Sequence, residues 1–86
     1  MALLVTGVAG FIGSNFVYFS LKKHPERKMV GIDSLTYAGN LENLSQALEN
    51  ERFEFSKADI CDTEAITALF ENHDIDGVIN FAAESH

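Results

Sequence analysis

Residues 2–13 of the sequence read ALLVTGVAGFIG. Four apolar residues lead into glycines at positions 7, 10 and 13, a pattern that indicates a buried strand bending into a helix. We expect Gly7 to allow a tight exit from the strand, Gly10 to let backbone approach a ligand, and Gly13 to let the helix pack against the sheet. The free N–H groups and positive dipole end of that helix would stabilise an anion at the bend. The stretch therefore predicts a phosphate site.

The spacing G-x-x-G-x-x-G is one residue wider at its first interval than the dinucleotide fingerprint G-x-G-x-x-G. Taken alone, it also fits a helix packed closely on a strand without any ligand. Asp33 favours a ligand, because it ends a second apolar run at a position where a carboxylate accepts hydrogen bonds from the adenosine ribose. No basic residue stands between the glycines or directly after Asp33 to neutralise a 2′-phosphate. The sequence therefore favours NAD over NADP.

Length and composition exclude several classes of protein. The 86 residues suffice for one small domain, and 47% hydrophobic residues supply the material for a core. A net charge of −7 argues against a nucleic-acid partner and against binding to an anionic membrane surface. The single cysteine offers no disulfide or zinc framework. Residues 1–21 are uncharged, but polar residues and glycines interrupt them, so we expect neither a signal peptide nor a membrane span and predict a cytoplasmic protein.

Two strands and a helix are predicted around the bend. The first strand ends at Thr6, and the first helix should run from Phe11 to Lys23, because the residue before Pro25 avoids the helical conformation. A second strand is predicted over Lys28–Asp33. The apolar face of the helix is predicted to combine Ile12, Phe16, Val17, Phe19 and Leu21.

The same alternation continues after the second strand. Residues 34–40 have loop composition, and Asn40 can cap a second helix. A third strand over Phe53–Ala58 alternates apolar and polar residues, which is typical of a position near a sheet edge. Asp62 or Thr63 can cap a third helix. The predicted buried stripes are Leu41, Leu44 and Leu48 in the second helix and Ile66, Leu69 and Phe70 in the third.

A fourth strand over Gly77–Ala82 is almost continuously apolar, as expected of a strand covered on both faces. Strands that alternate with helices at this spacing give parallel, right-handed crossovers. The predicted fold class is therefore α/β, a Rossmann-type doubly wound parallel sheet with strand order 3-2-1-4. The fourth strand would then be an apolar edge. We thus expect residues 1–86 to be the first half of a larger dinucleotide-binding domain, without a second domain, and to form a homodimer or larger assembly.

Four pieces of the sequence resemble the extended short-chain dehydrogenase/reductase family. They are TGxxGFIG at 6–13, Asp33 with LTYAGN at 35–40, DICD at 59–62, and AAESH at 82–86. The glycine piece marks the superfamily, whereas LTYAGN and AAESH together are typical of members that dehydrate nucleotide sugars. The resemblance covers the whole chain, but a complete member of the family is several times longer.

The resemblance implies a role for each piece. Phe11 and Ile12 would lie over the pyrophosphate of NAD, Asp33–Thr36 would line the adenosine ribose, and residues 59–60 would meet the adenine. Residues 81–85 would run beside the nicotinamide half, and Ser85 would also approach the substrate. The implied cofactor-binding set is Gly7, Gly10, Phe11, Ile12, Gly13, Asp33, Ser34, Leu35, Thr36, Asp59, Ile60, Phe81, Ala82, Ala83, Glu84 and Ser85, with no metal ligand.

The activity implied is dehydration of a nucleotide sugar such as dTDP-glucose to dTDP-4-keto-6-deoxyglucose. NAD would oxidise the hydroxyl at carbon four, water would leave across carbons five and six, and the hydride would return to carbon six. The family's acid–base groups, a Tyr-x-x-x-Lys pair with a threonine and an adjacent acidic pair, would lie beyond position 86. We therefore expect no catalytic residue in this chain. Tyr18 and Lys22 have the same spacing, but they lie on the first helix and fit an i, i+4 surface pair.

Two other functions fit the same residues. The chain could belong to a nucleotide-sugar epimerase or decarboxylase, which differs from a dehydratase in its acid–base segment. It could also be a non-catalytic dinucleotide-binding module, although the AAESH piece would then serve no evident purpose.

Overall fold

Four strands form one parallel sheet in a computed structural model that describes residues 2–35 and 41–81. They are β1 (Ala2–Thr6), β2 (Lys28–Asp33), β3 (Phe53–Lys57) and β4 (Ile75–Asn80). The strand order is β3-β2-β1-β4, so β1 lies between β2 and β4. The predicted Rossmann-type order is confirmed. The chain reverses its direction of travel across the sheet at β1, which is where doubly wound sheets open a ligand crevice.

Helices cover both faces of the sheet. On one face lie α1 (Phe11–Lys23) and two short 3₁₀ helices, Leu41–Leu44 and Ala47–Glu49, and on the other lies α2 (Thr63–Asn72). The core on the first face contains Val5, Val17, Met29, Leu44 and Phe53. The core on the second contains Ala2, Leu4, Val30, Ile32 and Leu69. Within the described ranges, no helix combines the length and apolar character needed to cross a bilayer.

Helix α1 has the predicted bounds, and its predicted apolar face is confirmed at Val17 and Leu21, which are buried, but not at Ile12 and Phe19. Ile12 and Phe19 are exposed, at 67% and 59%, whereas the residues turned to the sheet are mostly small. Close to the bend the helix leaves room for small side chains only, as the buried Gly13 and Ser14 show. Phe16 is partly buried against the core and lines, together with exposed Phe19, a recess beside β4. The buried residues of α1 are Gly13, Ser14, Val17, Ser20 and Leu21.

The predicted second helix is wrong, because the chain forms the two 3₁₀ helices instead. Hydrogen bonds of the i to i+3 type close these turns, and buried Leu44 and Ala47 lie three residues apart, as a 3₁₀ period requires. Leu41 and Leu48, expected on the same stripe, are 39% and 43% exposed. The proposed cap, Asn40, lies outside the described residues.

Helix α2 begins as predicted, since the Asp62 carboxylate accepts the Ala65 N–H at 3.2 Å. Its buried stripe is narrower than expected, with Leu69 buried and Phe70 45% exposed. The C-cap residue of this helix is His73. Its Nε2 lies 3.3 Å from a Glu54 carboxylate oxygen, so it contacts the β3 edge of the sheet.

Strand β4 begins two residues earlier than predicted, and it is not covered on both faces within the described chain. Exposure alternates along Ile75–Asn80, and the Val78 side chain is 54% exposed. The alternation arises because β4 pairs with β1 at one edge and stands beside α2 on only part of its length. Ala82, the predicted end of this strand, lies outside the described residues.

Candidate functional site

The bend after β1 starts with a left-handed residue. Gly7 has φ of 67°, a conformation that residues with a Cβ rarely adopt. The Val8 N–H then donates to the Ile32 carbonyl at 3.2 Å, which ties the bend to β2. Val8 and Ala9 are both fully buried. The first half of the bend is thus anchored in the protein, and the chain emerges at Gly10.

Two later glycines of the bend differ sharply in their surroundings. A Cβ added at Gly13 would lie 2.2 Å from the Gly7 carbonyl oxygen, so this glycine is required for the helix to pack. A Cβ added at Gly10 would meet only that same oxygen, at an ordinary 3.5 Å. Nothing in the described protein therefore requires glycine at position 10. The free space in front of its Cα suits a group that must touch backbone, such as a pyrophosphate.

The first turn of α1 faces solvent without a capping side chain. Its N-cap residue is Gly10, which has none to offer, and no acidic residue stands in the first turn. Phe11 and Ile12 are 76% and 67% exposed. The first N–H groups of an α-helix have no partner within the helix and carry the positive end of its dipole. This turn is therefore suited to an anion.

Asp33 lies beside the bend, at the end of β2. One carboxylate oxygen accepts the Ala9 N–H at 2.8 Å, and the other accepts the Leu35 N–H, also at 2.8 Å. Leu35 itself has φ of 63°, in the left-handed region. Because each carboxylate oxygen can accept two hydrogen bonds, Asp33 keeps acceptor capacity for ribose hydroxyls. Sequence reasoning missed these two bonds, although an aspartate two residues before a loop N–H is a known turn signal.

The remaining predicted positions that the structure describes lie at the same edge of the sheet, after β2, β3 and β4. Asp59 and Ile60 follow β3 and are exposed, and the Asp59 carboxylate accepts the Cys61 N–H at 2.8 Å. Phe81 follows β4, its N–H donates to the Thr6 carbonyl at 2.9 Å, and its ring centroid is 5.5 Å from that of Phe16. Ser34 directly follows Asp33 and is half-buried. Thr36, Ala82, Ala83, Glu84 and Ser85 lie outside the described residues.

The carboxyl ends of β1 and β4 are joined directly. The Thr6 hydroxyl donates to the Asn80 side-chain carbonyl, in addition to the backbone bond between Thr6 and Phe81. The two strands are also paired in register, with Thr6 opposite Asn80. The described site residues thus follow the carboxyl ends of four parallel strands, as the sequence predicted.

The tyrosine–lysine pair on α1, Tyr18 and Lys22, is not among the residues that follow the strands. The Tyr18 hydroxyl donates to the Asn43 carbonyl at 2.8 Å and accepts the Gln46 N–H at 3.3 Å. Its ring is half-buried, and Lys22 is exposed. Tyr18 therefore connects α1 to the 3₁₀ segment. This long-range contact was not predicted, because a hydroxyl partner 25 residues away leaves no local pattern.

The sheet order, the glycine bend at its switch point and the carboxylate after β2 define a Rossmann-type α/β domain of the short-chain dehydrogenase/reductase kind. A family model described as GDP-mannose 4,6 dehydratase matches residues 4–86. The chain belongs to this family.

Relatives and solved structures agree with this assignment. A dTDP-glucose 4,6-dehydratase of Salmonella typhimurium is 51% identical over 86 residues, covering all of this chain and 24% of the relative. The crystal structure of a Bacillus anthracis dTDP-glucose 4,6-dehydratase in complex with NAD superimposes with a TM-score of 0.94 at 40% identity, over 98% of this chain and 27% of that one. A Campylobacter jejuni UDP-Glc/GlcNAc 4-epimerase has a TM-score of 0.85 at 28% identity, over 99% and 25%. The chain spans about a quarter of the length of the curated relatives that it matches.

Proposed function

We propose that this chain forms the NAD-binding part of a dTDP-glucose 4,6-dehydratase. The observation that carries the proposal is the combination at the switch point of an open Gly10, an uncapped helix N-terminus and the Asp33 carboxylate bonded to the adjoining Ala9 N–H. These groups match the pyrophosphate and adenosine ribose of a dinucleotide. Identities of 43–51% with curated dehydratases, against 28–36% with 4-epimerase structures, favour dehydratase over epimerase.

Each residue of the predicted site has a role in this proposal. Gly7 and Gly13 shape the bend, while Gly10 and the N–H groups at Phe11 and Ile12 hold the pyrophosphate. Asp33 accepts hydrogen bonds from the ribose, and its negative charge disfavours the 2′-phosphate of NADP. The ribose would also contact Ser34, Leu35 and Thr36, and the adenine would contact Asp59 and Ile60. The nicotinamide half would contact Phe81, Ala82, Ala83, Glu84 and Ser85. Ser85 would also lie near the sugar nucleotide.

The chemistry divides between cofactor and protein. Bound NAD would accept a hydride from the sugar and later return it. The part of this chain is to bind and orient the dinucleotide at the β1–β4 crevice, with Phe81 held beside Thr6 by a backbone hydrogen bond. We place the acid–base groups outside residues 1–86, since Tyr18, the one candidate on α1, has its hydroxyl bonded to the 3₁₀ segment.

The proposed partners follow from the same assignment. The substrate is dTDP-glucose, a nucleic acid or membrane partner is not expected, and the assembly is a homodimer or larger. The exposed apolar Val78 on the edge strand β4 supports association of the 86 residues on their own, because a second copy could pair with this uncovered edge. Residues 1–86 would be the N-terminal part of one NAD-binding domain.

The DNA sequence downstream of codon 86 tests this function most directly. We expect the reading frame to continue into a segment with a Tyr-x-x-x-Lys pair and an adjacent acidic pair beside a threonine. The protein expressed from the complete frame should convert dTDP-glucose to its 4-keto-6-deoxy product, measured by chromatography and mass spectrometry. An epimerised sugar as the product would assign the chain to an epimerase instead. A complete reading frame without such a segment would indicate a non-catalytic dinucleotide-binding module.

A further inference from the structure

Asn43 reaches the glycine bend from a separate part of the chain. It lies on the first 3₁₀ helix, and its Nδ2 donates to the Ala9 carbonyl at 2.9 Å. Ala9 is fully buried and directly precedes Gly10, the residue at which the bend opens to solvent. Asn43 belongs to none of the motifs that predicted the site, because its partner is 34 positions away.

The backbone of Asn43 is itself held from two sides. The Tyr18 hydroxyl on α1 donates to the Asn43 carbonyl at 2.8 Å. The next residue, Leu44, is fully buried in the core that also contains Val17. With its backbone fixed in this way, Asn43 loses little additional conformational freedom when its amide bonds to the bend.

Both polar groups of the Ala9 backbone are therefore held by side chains, one at the end of β2 and one on the first 3₁₀ helix. Its N–H donates to Asp33 and its carbonyl accepts from Asn43. A peptide unit is planar, so the bond at the Ala9 carbonyl, together with the bond from the Gly10 N–H to the Gly7 carbonyl at 3.3 Å, fixes the orientation of the Ala9–Gly10 peptide. The chain enters α1 directly after this peptide. The orientation of the peptide plane therefore determines the directions of Gly10 and of the first N–H groups of the helix.

We propose that Asn43 is a positioning residue of the dinucleotide site. Its side-chain amide holds the Ala9–Gly10 peptide in the orientation that presents Gly10 and the first turn of α1 to a pyrophosphate. The proposal rests on the proposed function, in that the ligand is taken to be NAD. Loss of the donor leaves a buried carbonyl without this partner, so the peptide gains freedom to rotate and the site is less well organised before binding.

Two substitutions separate the hydrogen bond from the volume of the side chain. Asn43→Ala removes the donor, and Asn43→Asp keeps the shape but replaces the NH₂ group by an oxygen that faces the Ala9 carbonyl. Asn50→Ala is the matched control. Its side chain also bonds to backbone, accepting the Arg52 N–H at 2.9 Å, but it lies before β3, at the opposite end of the sheet.

The experiment is a titration with NAD of the ¹⁵N-labelled protein expressed from the complete reading frame, followed through the amide signals of Gly10 to Gly13. We expect both Asn43 variants to raise the Kd for NAD about three- to tenfold, the range that one backbone hydrogen bond supports. Without NAD, hydrogen exchange at Gly10 and Phe11 should accelerate in both variants. The Asn50→Ala control should change neither the Kd nor exchange at these two residues.

Three results would overturn the proposal. The first is an unchanged Kd in both Asn43 variants, and the second is unchanged exchange at Gly10 and Phe11. The third is an equal loss of affinity in Asn50→Ala, which would indicate a general effect on stability. If the unsubstituted full-length protein showed no NAD-dependent shifts, the proposed function would fail. The exchange measured without NAD would then still decide whether Asn43 positions the bend.

Discussion

The glycine bend has a side that faces the protein and a side that faces solvent, and glycine serves opposite purposes on the two sides. On the protein side, a Cβ at Gly13 would lie 2.2 Å from a backbone oxygen, so glycine allows two segments to close on each other. On the solvent side, a Cβ at Gly10 would lie at an ordinary 3.5 Å from that oxygen, so glycine leaves open space. One motif thus contains a glycine that packing requires and a glycine that we propose contacts the ligand.

Backbone conformation sharpens this difference. Gly7 has φ of 67° and needs glycine for its own conformation. Gly10 has φ of −74° and ψ of 170°, an extended conformation that any residue adopts. Within the described residues, neither strain nor packing accounts for glycine at position 10, which supports the proposed close approach of a ligand.

The largest expected effect is on the protein side. Gly13→Val places a branched side chain against the carbonyl of Gly7, and neither backbone segment can yield without moving α1 off the bend. We expect a loss of more than about 3 kcal/mol in the free energy of unfolding, measured by urea denaturation. A loss below about 1 kcal/mol would show that α1 shifts freely, and the distinction between the two glycines would fail.

The same substitution on the solvent side should act on binding. Gly10→Val fits the observed backbone conformation and costs little more than the change of N-cap residue, within about 1 kcal/mol of stability. It fills the space in front of the helix N-terminus, so we expect the Kd for NAD to rise more than a hundredfold, equivalent to about 2.7 kcal/mol. Amide-resolved titration and urea denaturation measure the two quantities on one sample. Equal losses of binding and stability would support packing as the purpose of this glycine.

Much of this arrangement could be predicted from local sequence. The bounds of α1 and β2 and the strand order follow from apolar runs, from Pro25, and from the alternation of strands with helices. The position of Asp33 beside the bend follows in the same way, because β1 and β2 are neighbouring parallel strands. The purpose of Gly13 was also correctly predicted, since the third glycine of such a motif packs a helix on a sheet.

The errors came from contacts that no local pattern contains. Periodicity placed Ile12 and Phe19 on the buried face of α1, but close packing at Gly13 turns small residues to the sheet instead. The segment after residue 40 has a leucine spacing that fits an α-helix, yet it forms 3₁₀ turns that place Asn43 against Ala9. Tertiary packing outweighed helix periodicity in both cases.

The third prediction concerns Asp33, which has a role on the protein side of the bend and a proposed role on the solvent side. Its carboxylate holds the Ala9 and Leu35 N–H groups, and it is the proposed acceptor for the ribose hydroxyls. Asp33→Ala should weaken NAD binding by about 1.5–3 kcal/mol, because hydrogen bonds to a charged group are lost. Asp33→Asn should weaken it less, since the amide carbonyl still accepts one hydrogen bond. Both variants are measured by the same titration, once with NAD and once with NADP.

The two cofactors separate the two roles of this carboxylate. If Asp33 only organised the loop, its removal would weaken NAD and NADP binding by the same factor, because both carry the same pyrophosphate. A carboxylate at the ribose instead bonds the 2′-hydroxyl of NAD and repels the 2′-phosphate of NADP, so its removal should weaken NAD binding while sparing or improving NADP binding. We expect the ratio of the two Kd values to move toward one in both variants. An unchanged ratio of the two Kd values would show that Asp33 does not contact the ribose and serves only as a structural contact of the bend.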